Sequence, residues 1–206
     1  MGLDYSYLLY FKREHLWDAL QGVVRVAVPH QPPTRIFFPD CELLIPLDSW
    51  AMRHKVILCD DPEFSFTTIL RFDRDEALQD YIDRHARDDL DRSPPNPDED
   101  GKFSIGYIYL DIHNPTSEWS EGRNAEDIVA FNFGTTGTRM SLLFDESTSI
   151  RKTFMELLER VPGICGVYNR EDSGEVFWYK GHVLSDHIED PYLLPDEIKS
   201  LLNLQC

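Results

Sequence analysis

The stretch Ile128–Tyr168, IVAFNFGTTGTRMSLLFDESTSIRKTFMELLERVPGICGVY, decides the fold. Residues 128–133 are an apolar run that enters a Thr/Gly turn, and 138–144 reads as the strand that returns from it. Ile150, Phe154, Leu157, Leu158 and Val161 then recur at helical spacing, with Thr148 or Ser149 as the cap and Pro162-Gly163 as the stop. Another strand follows at 164–170. Switching between period 2 and period 3.6 within so short a span is the mark of a sheet with a helix packed on it.

Upstream, SIGYIYLDIHN at 104–114 alternates: Ile105, Tyr107, Tyr109, Asp111 and His113 point one way, and Ile108, Leu110 and Ile112 the other. FSFTTILRF at 64–72 is a second strand. Asp73 follows as an N-cap, with Glu76 three residues on, and Ala77, Leu78, Tyr81, Ile82 and His85 form the inner stripe of a helix. DDLDRSPPNPDEDGK at 88–102 reads as a long acidic, proline-rich loop, and 114–127 as a surface loop carrying Trp119. At the front, 3–11 is a strand, and Leu16, Trp17, Leu20, Val23, Val24 and Ala27 share a helical face that ends before Pro29. TRIFFP and CELLIP are short strands turning at Pro39-Asp40. Behind the opening stretch, EVFWYKG at 175–181 pairs back through a turn ending in Gly174. Pro195 then opens a last helix with Ile198, Leu201 and Leu202 as its contacts.

The expected fold is therefore α+β: a single domain over 1–206, with an antiparallel or mixed sheet and helices on one face. The order strand-helix-strand-strand occurs from residue 3 and again from residue 64. Ferredoxin-like elements are thus expected twice, as pseudo-halves 1–63 and 64–181, by topology and without a residue-level repeat.

Hydrophobic residues are 42% of the chain, enough for a substantial core. Lys plus Arg number 20 against 37 for Asp plus Glu, a formal charge of −17. That field repels phosphate backbones and disfavours nucleic-acid binding, while it attracts a basic partner. No apolar run is long enough to span a bilayer, so no membrane role is expected. MGLDYS matches the N-myristoylation pattern at Gly2 and Ser6, but the motif is permissive and the stretch is read first as the leader to the first strand. Cys41, Cys59, Cys165 and Cys206 have no CxxC spacing; without a signal peptide they read as reduced, in a cytoplasmic protein.

Asp111 and His113 share one side of a strand, as metal ligands or an acid–base pair would. His182, Asp186 and His187 are the downstream groups that would complete a two-histidine, one-carboxylate site, although Asp111–Pro115 also reads as a strand running into a turn. Gly134-Thr135-Thr136-Gly137-Thr138-Arg139 offers amides, hydroxyls and a guanidinium to an anion, but it lacks the Lys-Ser/Thr of a P-loop and is read first as a hairpin turn. Cys59 beside Asp60 and Asp61 is in the wrong field for a reactive thiolate. Asp98, Glu99 and Asp100 lack the ligand pattern of a calcium loop. Among Trp50, Trp119 and Trp178, Trp119 stands among polar residues, where it reads as an interface anchor or as core from a folded-back loop.

Gly2-Leu3-Asp4-Tyr5-Ser6-Tyr7 and the helix Arg13–Leu20 resemble a group of bacterial proteins of unassigned activity that begin with similar words. The resemblance covers about the first twenty-five residues and carries over no functional residue. With no convergent catalytic set and no cofactor expected, the leading expectation is a soluble, non-enzymatic protein acting by protein–protein interaction or self-association. The rivals are a small metal-binding protein or hydrolase-like enzyme using Asp111 and His113 with His182 or His187, and an acidic antitoxin, immunity protein or nucleic-acid mimic.

Overall fold

Strand β1 (Ser6–Lys12) is buried from Ser6 through Phe11, because both of its faces are covered. The computed structural model describes residues 2–30, 32–49, 56–58, 61–88, 97–114 and 127–204, apart from the side chains of 56–57 and 85–88. After a 3₁₀ turn at Arg13–His15 come α1 (Leu16–Val26), β2 (Thr34–Phe38), β3 (Cys41–Ile45) and β4 (Val56–Leu58). The chain continues through β5 (Glu63–Phe72), α2 (Glu76–Asp88), β6 (Phe103–His113), β7 (Ile128–Gly134), α3 (Thr138–Glu146) and α4 (Thr148–Arg160). It closes with β8 (Gly163–Asn169), β9 (Gly174–Tyr179), β10 (His182–Ile188) and α5 (Pro195–Leu201).

Seven strands form one antiparallel sheet in the order β10-β9-β8-β1-β7-β6-β5, and β3-β2-β4 form a second, small sheet. The α+β class is as expected. The duplication is not seen: β5-α2-β6-β7 is continuous within the main sheet, whereas β2 and β3 leave β1 and pair with each other elsewhere. The small sheet still contributes Ile36, Leu43 and Ile45 to the main core.

Helices α1–α4 lie on one face, where Leu20, Leu78, Phe144 and Phe154 meet Tyr7, Phe66, Leu110 and Phe131 of the strands. Phe154 stacks on Tyr7 with centroids 4.4 Å apart and lies 4.9 Å from Phe133. Such pairs add about 0.5–1.5 kcal/mol each beyond the area they bury. The expectation of helices on one face needs correction for α5. Ile198, with Leu194 before it, covers Leu8, Cys165, Val167 and Val176 on the opposite face.

Four local expectations are also corrected. Residues 138–144 are helix α3, not a strand: Met140, Leu143 and Phe144 bury at helical spacing, while Leu142, which alternation would place inside, is 44% exposed. His182–Ile188, not foreseen as a strand, is β10; Ile188 is its one fully buried apolar residue, so alternation leaves little trace. The α2 cap is Asp75, whose Oδ1 accepts the Leu78 amide at 2.8 Å, while Asp73 pairs with Lys102; the α4 cap is Ser147, accepting from Ile150. Ile105 faces the core with Ile108, because Gly106, at φ 100°, sits at an irregularity in the β5–β6 register and shifts the phase of β6.

Candidate functional site

On the second face α5 packs with Leu8, Ala130, Cys165, Val167 and Val176, and among the described residues no helix lies over β5 and β6 there. Its side chains follow from register. Across the sheet, Ser65 pairs with Asp111, Asp111 with Asn132, and Asn132 with Leu8. The next row is Glu63, His113, Ala130 and Tyr10, and on the other side Thr67, Tyr109, Gly134 and Ser6. Beyond Gly106, every second residue of β6 therefore points to this face: Tyr107, Tyr109, Asp111 and His113.

Tyr107 is 57% exposed and Tyr109 41%. With Thr67 and Thr136 they line an open recess of about 360 Å³. The Thr136 hydroxyl donates to the Tyr107 carbonyl at 3.2 Å, which ties the loop after β7 to β6. Further along the strand, His113 Nδ1 lies 3.5 Å from Glu63 Oε2. Asn132 Oδ1 is buried without a hydrogen-bond donor. The periodicity at 104–114 placed Tyr107 and Tyr109 beside Asp111 and His113, yet nothing local told that this side lies opposite helices α1–α4.

The metal candidates divide. Asp111 and His113 are side by side in β6, but His182, Asp186 and His187 are in β10. His182 occupies the His113 row and Asp186 the Asp111 row, with β7, β1, β8 and β9 between. Five strand spacings are about 24 Å along the sheet. Among the described residues, no three His, Cys, Asp or Glu side chains gather where one ion could be held.

The segment Gly134–Arg139 leads into α3, so its strand-to-helix geometry is closer to an anion loop than the expected hairpin. Its hydroxyls, however, are used by the chain. Thr138 Oγ1 accepts the Leu3 amide at 3.0 Å, and Thr135 Oγ1 lies 2.6 Å from Ser141 Oγ, which in turn donates to the Leu3 carbonyl. Residues 2–5 thereby rest on the start of α3. Arg139 lies towards Tyr81 of α2. Asp98 accepts the Asp100 and Lys102 amides and pairs with Arg71 at 3.2 Å; the Lys102 amide is the main reason its carboxyl is held below the usual range. It closes a turn. Trp178 is core, whereas Trp50, Trp119, Cys59, Asp60 and Cys206 lie outside the described residues.

One charged cluster went unforeseen. Arg151 of α4 grips Glu175 of β9 with two bonds, 2.9 and 2.7 Å, and Ser185 donates to the same carboxylate. Arg170 bonds Asp145 at 2.6 Å and stands 5.0 Å over the Tyr168 ring. Burial opposes ionisation of Glu175, but Arg151 and Ser185 outweigh it and hold its carboxyl below the usual range. The Glu175 bonds are the first cause of the raised Arg151 pKa. Each charge is answered by a neighbour, so the cluster braces the β8–β9 hairpin against α3 and α4 and presents no open position to a substrate.

No protein-family model, curated protein or solved structure matches the chain.

Proposed function

We propose that this is a non-catalytic binding protein whose working surface is the face of β5–β6–β7 opposite helices α1–α4, engaging a partner protein or a second copy of itself. The observation that carries the reading is the pair Tyr107 and Tyr109, exposed on successive outward positions of one rigid strand. Tyrosine is enriched at protein interfaces because it brings a large apolar body and a polar tip at low conformational cost. No described helix is long and apolar enough to cross a membrane. The free thiols of Cys41 and Cys165 support a reducing, cytoplasmic setting.

The test compares the wild-type protein with Tyr107→Ala/Tyr109→Ala, by sedimentation over a range of concentrations and by retrieval of partners on beads. Self-association or a retained partner that the double variant loses, at unchanged thermal stability, supports the reading. A wild-type monomer that retains nothing, or a double variant that behaves identically, defeats it.

A second reading draws on the same face. His113 and Glu63 lie 3.5 Å apart on paired strands, which supports acid–base work by that pair without His182 or His187. A hydrolytic activity of the purified protein that is lost in His113→Ala would establish it in place of the first reading.

A further inference from the structure

We infer that the outer face of the small β3-β2-β4 sheet joins two copies of the chain into a reversible two-fold dimer. Leu44, Phe37 and Leu58 lie along its axis, and Arg35 of each copy stands against Glu42 of the other. This surface is separate from the β5–β7 face and does not depend on it.

The inner side of the small sheet is used by the main core, through Ile36, Leu43 and Ile45. Alternation turns Arg35 and Phe37 of β2 outward, with Glu42 and Leu44 of β3. The parallel pairing of Phe37 with Leu58 brings β4 into the same face. Leu44 is 54% exposed, Leu58 51% and Phe37 36%. Single exposed apolar residues are ordinary on a protein surface, but these three are neighbours on adjacent strands.

The pattern of the face is complementary to itself. Leu44 pairs with Arg35 and Glu42 with Phe37, so apolar residues follow one diagonal and charges the other. The two charges meet across the apolar diagonal, Arg35 Nη1 lying 3.5 Å from Glu42 Oε1. A two-fold axis in the plane of the interface, run from Leu44 through Phe37 to Leu58, sets each of the three against its own counterpart. The same rotation exchanges the charged positions, so that Arg35 faces the Glu42 of the second copy and Glu42 its Arg35. A patch that maps onto itself in this way is what an isologous contact between identical chains requires. Its two charges cancel, so the repulsion between chains of charge −17 is not focused there. The patch is small beside a permanent interface, and the association is correspondingly weak.

The experiment is sedimentation velocity of the full chain at physiological salt, from low micromolar to near-millimolar concentration. The wild type should show a reversible monomer–dimer equilibrium. Arg35→Glu and Glu42→Arg should each weaken it about tenfold, because each substitution opposes like charges twice in one dimer. An equimolar mixture of these two variants should recover the dimer, which damage within a chain could not produce. The reversed pair Arg35→Glu/Glu42→Arg keeps the intrachain bridge and covers the case in which a single variant fails to fold. It should dimerise with itself as the wild type does, yet about tenfold more weakly with fluorescently labelled wild-type chain. Tyr107→Ala/Tyr109→Ala should dimerise normally, so the two surfaces are tested separately. A wild type that stays monomeric throughout would overturn the inference. So would a dimer indifferent to the single reversals, a mixture of them that recovers nothing, or a reversed-pair chain that joins the wild type as readily as itself. A dimer lost only in the double tyrosine variant would overturn it while supporting the β5–β7 face.

Discussion

The Asp75 carboxylate accepts the Ser149 amide at 2.8 Å while its other oxygen holds the Leu78 amide at 2.8 Å, so one side chain caps both α4 and α2. Ser147 donates to it as well, at 2.8 Å. Two helix starts that are more than seventy residues apart in sequence are thereby fixed to each other over the same core. Asp75→Ala should cost about 2 kcal/mol, one cap's worth for each helix, measured by urea denaturation. Partial burial opposes ionisation of this carboxyl, but the amides of Ser149 and Leu78 with the Ser147 and Thr148 hydroxyls outweigh it and hold the group below its usual range. Its contribution is present above the unfolded pKa, near 4, and disappears as pH falls through the lower folded value. Asp75→Asn should flatten this part of the acid limb of stability against pH.

The Arg151–Glu175 fork should show the cost of leaving a half-buried charge alone. Glu175 is only 13% exposed at its side chain, while Arg151 reaches solvent. Glu175→Ala is expected to destabilise by about 2–3 kcal/mol, below the figure for a fully buried pair because water still reaches the guanidinium. Changing both residues to well-packed apolar ones should recover much of the loss, which a double-mutant cycle would measure.

Gly106 sets the phase of β6. A methyl group at its Cα would lie 3.7 Å from Met140 Cε, ordinary contact, so the cost of Gly106→Ala is conformational and comes from φ 100°. About 1–2 kcal/mol is expected from chemical denaturation. Loss of more than this would mean that the alanine chain re-registers β6 and turns Tyr107 inward.

Tyr7, buried under Phe154, donates its hydroxyl to the Phe144 carbonyl at 3.1 Å. Burial, against the pull of Arg151, pushes its pKa up to about 12. A raised folded pKa means that its contribution is complete below about 10 and is lost as pH rises towards 12. Tyr7→Phe should cost about 1 kcal/mol at neutral pH and flatten the alkaline limb, read from unfolding curves at increasing pH.

The parts of the fold that local pattern can carry were legible: the Tyr- and Leu-rich strand at β1, the strand β5, and the stripe Ile150, Phe154, Leu157 and Leu158 of α4. Residues 140–144, MSLLF, satisfy period 2 and period 3.6 alike, and only the exposure of Leu142 distinguishes them. The Arg151–Glu175 and Arg170–Asp145 bonds join residues 24 and 25 apart and leave no mark on either segment. The candidate site was half legible. Alternation aligned Tyr107 and Tyr109 with Asp111 and His113, but which side of β6 the helices α1–α4 cover is a tertiary fact.

The central claim is that Tyr107 and Tyr109 face a partner. Tyrosine-selective surface modification, with each site read by mass spectrometry, tests it on the native protein. Tyr192, 43% exposed on the segment before α5, serves as the internal reference. Tyr107, Tyr109 and Tyr192 should all react in the isolated chain, and in the assembled state Tyr107 and Tyr109 should be shielded while Tyr192 still reacts. Undiminished reaction at Tyr107 and Tyr109 in the assembled state, with Tyr192 protected instead, would contradict the account.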